Sequence, residues 1–119
     1  MVKALFDTNI LIDHLNGNRA ARAELDRFRD RAISIVTWME VLVGAPEAAT
    51  RQTRAWLGTF RVIALDEQVA EAAISLRQSW QLKLPDAIVW ASARVHDRLL
   101  VTRDTKDFPA DDPGVRVPY

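Results

Sequence analysis

Four acidic residues, Asp7, Glu40, Asp86 and Asp104, each stand just past an apolar run or on the opening turn of a helical segment. In a chain of alternating strands and helices, such positions fall along one edge of one sheet. Carboxylates gathered there repel one another: at ~4 Å and an effective dielectric of ~20, each close pair costs ~4 kcal/mol. A shared cation removes that cost. All four are oxygen donors, with no His or Cys among them, which suits a hard ion such as Mg²⁺ or Mn²⁺ rather than zinc. The chemistry implied is hydrolysis by a metal-activated water.

The elements that must position these acids follow from apolar patterning. Val2 to Phe6 reads as a first strand, and Asn9 to Leu15 as a short helix ended by Gly17-Asn18. Arg19 to Arg31 has helical spacing of Ala, Leu and Phe. Ile33 to Val36 reads as a second strand, with Thr37 as cap of the next helix, and Gly44-Ala45-Pro46 breaks that helix before another over Glu47 to Leu57. Arg61 to Leu65 is a third strand. Asp66 caps a helix through about Trp80, whose buried stripe is Val69, Ala72, Ala73 and Leu76. Pro85 opens a helix ending near His96, Leu99 to Thr102 is a fourth strand, and Val115 to Val117 a final one. Strands separated by helices predict a mainly parallel α/β sheet with right-handed crossovers, its ligands bound beyond the carboxyl ends of the strands.

Each acid also has a purely local reading. Asp7 is placed to cap the helix after it, and Thr37 to Glu40 fits a capping box. Asp86 answers a helix dipole, and Asp104 caps the turn through Thr105, Lys106 and Asp107. A cap is worth only ~1 kcal/mol, and four separate caps leave the sequence around them unexplained.

Composition narrows the field without naming a function. The 119 residues, 49% hydrophobic, predict one domain over 1–119 with a substantial core and exclude a disordered chain. No apolar run reaches the ~18 residues of a membrane span, and Asp7 interrupts the start too early for a secretory signal. Those features, with no Cys at all, predict a cytoplasmic protein without disulfides or thiolate zinc sites. Lys+Arg 16 balances Asp+Glu 16, so no overall field draws in a polyanion. Arg19, Arg22, Arg27, Arg29 and Arg31 crowd one segment and suit phosphate, yet Glu24, Asp26 and Asp30 interleave them as on a solvated helix face.

Four blocks occur in order: Asp7-Thr8-Asn9-Ile10-Leu11-Ile12-Asp13, Thr37-Trp38-Met39-Glu40-Val41, Leu84-Pro85-Asp86-Ala87-Ile88-Val89-Trp90-Ala91, and Leu100 to Phe108. Together they resemble the four motifs of the PIN domain, and closely those of its VapC-type toxin ribonucleases, over almost the whole chain from Val2 to Val117. The resemblance implies a three-layer α/β/α fold around a mainly parallel four- to five-stranded sheet. It also implies a Mg²⁺-dependent endoribonuclease, with Mn²⁺ as a substitute, that is the toxin of a type II toxin–antitoxin pair. Its metal-binding acids fall on Asp7, Glu40, Asp86 and Asp104, with Thr8 and Asn9 supporting the first and Thr102 orienting the fourth. Because family members often carry Asn at the fourth position and an acid three residues later, Asp107 enters as an auxiliary ligand through water. Asp13 reads as a solvated residue of the first helix.

Partners implied by the resemblance are RNA, a second copy in a homodimer or toxin–antitoxin hetero-oligomer, and an antitoxin whose tail fills a groove beside the site. Leu11, Leu15, Phe28, Val43, Trp56 and Phe60 are candidate anchors for that tail, and each also fits the core. Two phosphoryl-handling rivals fail on their own residues. A haloacid-dehalogenase-type phosphatase needs an acid where Asn9 stands, and a receiver domain needs an acidic pair after the first strand. A PIN-like module that only binds RNA or a partner remains the alternative, marked by loss of an acid. All four acids are present.

Overall fold

The computed structural model describes all residues 1–119. Five strands, β1 (Ala4–Phe6), β2 (Arg31–Ser34), β3 (Arg61–Ile63), β4 (Leu99–Val101) and β5 (Val115–Arg116), form one sheet in the order β3-β2-β1-β4-β5. Every neighbouring pair is parallel, with Leu5 opposite Ala32 on one side and Leu100 on the other. The chain grows outward from β1 to β3 and then crosses to begin β4 on the opposite side of β1. That reversal lies beside the carboxyl ends of β1 and β4, the place where open α/β sheets bind ligands.

Six helices cover the two faces: α1 (Thr8–Leu15), α2 (Arg19–Asp26), α3 (Ile35–Gly44), α4 (Thr50–Leu57), α5 (Glu67–Trp80) and α6 (Leu84–Val95). Strand alternation splits the core in two. Ala4 and Phe6 of β1 face Ile10, Leu11, Leu25 and Leu57, whereas Leu5 faces Val69, Leu76, Trp90 and Ala91. The predicted three-layer α/β/α arrangement is therefore what forms. Phe28 and Phe60 each meet Phe6 edge-on, at 5.8 and 6.4 Å between ring centroids. No helix is long and apolar enough to cross a membrane.

Local chemistry sets the element ends. Asn18 Oδ1 caps α2 through the Ala21 amide, and Asp66 Oδ1 caps α5 through Val69. Gln81 ends α5 in a left-handed conformation at φ 56°. Most strands are a residue or two shorter than expected, the third ending at Ile63 rather than Leu65, and three differences change an element's place or kind. The second strand is Arg31–Ser34 rather than Ile33 to Val36, and Ser34 Oγ, not Thr37, caps α3 by accepting from the Val36 amide. Ile35 and Val36 have strand-like side chains, but the cap and burial of the helix override that local preference. The Arg-rich helix stops at Asp26, freeing Arg31 to open β2 with its guanidinium over the Phe60 ring. Residues 47–57 are a 3-10 turn (Glu47–Ala49) followed by α4, not one helix.

Candidate active site

The carboxyl edge of β1 and β4 collects acids from four parts of the chain. Asp7 directly follows β1 and Glu40 lies in α3. Asp86 is in the first turn of α6, and Asp104 and Asp107 lie on the irregular segment after β4. Asp86, Asp104 and Asp107 each present a carboxylate oxygen, all within 4.8 Å of one another. Sequence reasoning ranks Asp104 ahead of Asp107; the structure brings both to Asp86.

Asp7 sits behind this trio and is 6% exposed. Its Oδ1 accepts the Thr8 amide at 2.8 Å, so it caps α1, while its Oδ2 accepts from the Thr102 hydroxyl at 2.8 Å and from Asn9 Nδ2 at 3.1 Å. Cap and site are the same residue here. Asp104 behaves likewise: its Oδ1 accepts the amides of Lys106 and Asp107, and Oδ2 remains without a protein partner. Thr102, fully buried, ties the two acids together, because its hydroxyl oxygen also accepts the Asp104 amide at 3.0 Å and Asn9 Nδ2 at 3.2 Å. Phe108, edge-on to the buried Trp90 at 5.9 Å, anchors the far end of the turn.

Thr8 meets Asp7 through its amide and serves a second acid through its side chain. Its hydroxyl donates to Glu40 Oε1 at 2.8 Å and lies 2.9 Å from the Thr37 hydroxyl. The capping-box reading of Thr37 and Glu40 fails because the helix is capped three residues earlier, at Ser34. That leaves Thr37 buried inside α3 and turned toward α1. Its role was hidden in sequence, since a Thr before an apolar helical run signals a cap.

Electrostatics marks this cluster off from the other buried and half-buried acids. The six ion pairs use Asp13, Glu24, Asp30 and Asp112, and none uses Asp7, Glu40, Asp86, Asp104 or Asp107. Burial pushes the Asp86 carboxyl up to about 6, reinforced by the negative charges of Asp7, Asp107, Asp104 and Glu40. Burial also raises Asp7, with Asp104 and Glu40 adding to it and the Thr102 and Thr8 hydrogen bonds opposing it. An oxygen-only, like-charged and uncompensated set of this kind fits a divalent hard cation.

Beside the site, the carboxyl ends of α1 and α3 border a groove of about 530 Å³ lined by Ile12, Leu15, Val41, Pro46, Ala49 and Thr53. Of the six candidate anchors, Leu15 lines it, Leu11 and Phe60 are buried in the core, Phe28 and Trp56 pack against the core half-buried, and Val43 is 87% exposed. Among the tryptophans, Trp90 is buried, Trp38 and Trp56 are half-buried, and Trp80 is exposed.

Residues 4–110 match the PIN domain. The chain is 33% identical over 113 residues to ribonuclease VapC10 of Mycobacterium tuberculosis, covering 88% of this chain and 85% of that protein. Among solved structures, a toxin–antitoxin complex from Klebsiella pneumoniae contains a chain 50% identical, with TM-score 0.93 and 98% of each chain covered. FitAcB from Neisseria gonorrhoeae is 26% identical over 97% of each chain, with TM-score 0.82. The protein belongs to the PIN-domain family, in its VapC-type ribonuclease branch.

Proposed function

We propose that the chain is a Mg²⁺-dependent endoribonuclease, the toxin of a toxin–antitoxin pair, that hydrolyses RNA phosphodiester bonds. The observation that carries this reading is the convergence of five carboxylates without a single cation partner, in a protein that pairs its other buried and half-buried acids. Asp86, Asp104 and Asp107 would hold a divalent ion, with Asp7 fixed behind them by Thr102, Asn9 and the Thr8 amide. When bound, that ion supplies a nucleophilic water at neutral pH and offsets charge on the reacting phosphate. Glu40 is exposed, and only its Oε1 is engaged, by Thr8. Its free Oε2 is available to take a proton at the mouth of the site. Without a cation the same cluster would repel an RNA phosphate.

The groove of about 530 Å³ shares α1 and α3 with the site. It suits an apolar antitoxin segment entering from the side, and a chain similar to this one is found in a toxin–antitoxin complex from Klebsiella pneumoniae. A homodimer or hetero-oligomer and a cytoplasmic location belong to the same reading.

The test is cleavage of RNA by the purified chain with and without Mg²⁺ or Mn²⁺. Asp7→Asn and Asp86→Asn should each reduce the rate by about 10²–10³-fold, the usual range for removing one charge-stabilising group. Both variants should keep the fold. Cleavage by either variant at the wild-type rate would reject the assignment, as would equal cleavage in excess chelator. RNA binding without cleavage by wild type would favour the binding-module alternative.

A further inference from the structure

Asp13 was expected to be solvated, yet it gathers three distant parts of the chain. Its two oxygens receive the Arg103 fork, Nε at 2.6 Å and Nη2 at 3.2 Å, and its Oδ2 also accepts the Tyr119 hydroxyl at 2.7 Å. Arg103 lies between Thr102 and Asp104, and its amide donates to Asn9 Oδ1 at 3.3 Å. Asn9 in turn donates to Asp7. Helix α1, the segment after β4 and the chain beyond β5 therefore meet at one carboxylate.

Residues 102–114 contain no helix or strand, although they carry two of the three acids closest together. Such a segment needs side-chain ties to keep its carboxylates in place. Arg103 is also the cation nearest in sequence to Asp104, and a guanidinium there would neutralise the site if it turned inward. Its fork is committed to Asp13 instead, which leaves the cluster uncompensated. Exposed ion pairs of this kind contribute little to stability, so a positioning role is the better account of a three-way junction.

We infer that Asp13, Arg103 and Tyr119 form a clamp that fixes the Asp104–Asp107 turn against α1, holding the ligand oxygens ready for a divalent ion. These are positioning residues, and the inference rests on the metal-dependent reading above. Outer-shell partners of metal ligands typically change affinity by about 10–100-fold.

The experiment is a titration of the full chain with Mn²⁺ alone, alongside NMR-detected amide exchange at Lys106 and Asp107, whose amides bond to Asp104. Arg103→Ala separates the clamp from simple electrostatics by sign. Deleting a cation beside an anionic site should tighten Mn²⁺ binding by Coulomb's law; loss of the clamp should weaken it about tenfold and speed exchange at both amides. Arg103→Lys keeps the charge but loses the fork, and should weaken binding in the same direction. Tyr119→Phe, neutral in charge, should show a smaller loss. Tighter or unchanged Mn²⁺ binding by Arg103→Ala with unchanged exchange would overturn the clamp. If wild type itself bound no Mn²⁺, the metal reading would fall and the exchange rates alone would decide the clamp: faster exchange upholds it, unchanged exchange overturns it.

Discussion

The two edges of the sheet handle carboxylates in opposite ways. At the edge where the strands begin, Asp30 precedes β2 and accepts from Arg98 at 2.8 Å, with Arg61 of β3 at 3.8 Å. The Arg98 hydrogen bond holds Asp30 below the usual carboxylate range. At the edge where the strands end, Asp86 has four acids for neighbours and no cation, and its carboxyl is pushed up to about 6. One edge is built as structure, with its half-buried carboxylate answered. The other leaves charge unanswered, at a cost in stability that makes sense only if something else arrives to answer it. Asp13 shows the rule from within the site's own border: held by Arg103, its carboxyl is lowered.

The contrast should break most visibly at a paired acid. Glu24, with 4% of its side chain exposed, is held by the Arg116 fork across from β5. Arg116→Ala strands that carboxylate and should cost about 3 kcal/mol, read by denaturant unfolding. A loss near zero would mean that Arg27, 3.6 Å from Glu24, takes over the pairing.

A smaller effect sharpens the unpaired side. Because Asp104 and Asp107 both approach Asp86, substituting either by Asn should weaken Mn²⁺ binding comparably, and by more than the about tenfold expected for an outer-shell partner. Calorimetry giving a loss for Asp104→Asn alone would restore the order expected from sequence, with Asp107 acting through water.

The smallest effect has the opposite sign to the first. Asp86 ionises near 6 when folded and near its ordinary value of 3.8 when unfolded. Between those values the unfolded chain loses its proton first, so metal-free stability falls as pH rises through the window and stays lower above it. Asp86→Asn should therefore stabilise the metal-free protein at neutral pH by about 1 kcal/mol, a figure reduced for the partial exposure of the group. It should also flatten the slope from pH 4 to 6. Melting in chelator at pH 5 and 7.5 checks both, and a destabilised variant at pH 7.5 would contradict the repulsion. By the same linkage Asp30, lowered when folded, contributes stability that disappears as pH falls.

Much of the site was legible because its acids sit in short blocks whose neighbours constrain them. Asp7 had to follow β1, since an apolar run ends there and Thr8-Asn9 follow. Asp86 was tied to a helix start by Pro85. What stayed hidden were contacts across 29 to 106 residues: Thr37 on Thr8, Arg103 and Tyr119 on Asp13. Nothing local distinguishes a Thr that caps from a Thr that faces a neighbouring helix. A final tyrosine carries no mark of the aspartate it will meet.

By itself the sequence determined the order of strands and helices, the oxygen donors available in its motif blocks and the lack of any thiol. Those follow from side-chain type and spacing, which need no partner. Only the tertiary structure decided which acids come together, which are answered by arginine and where α3 begins. These depend on the switch in strand order beside β1 and on side chains brought together through space, where distance and burial, not sequence spacing, set the energy.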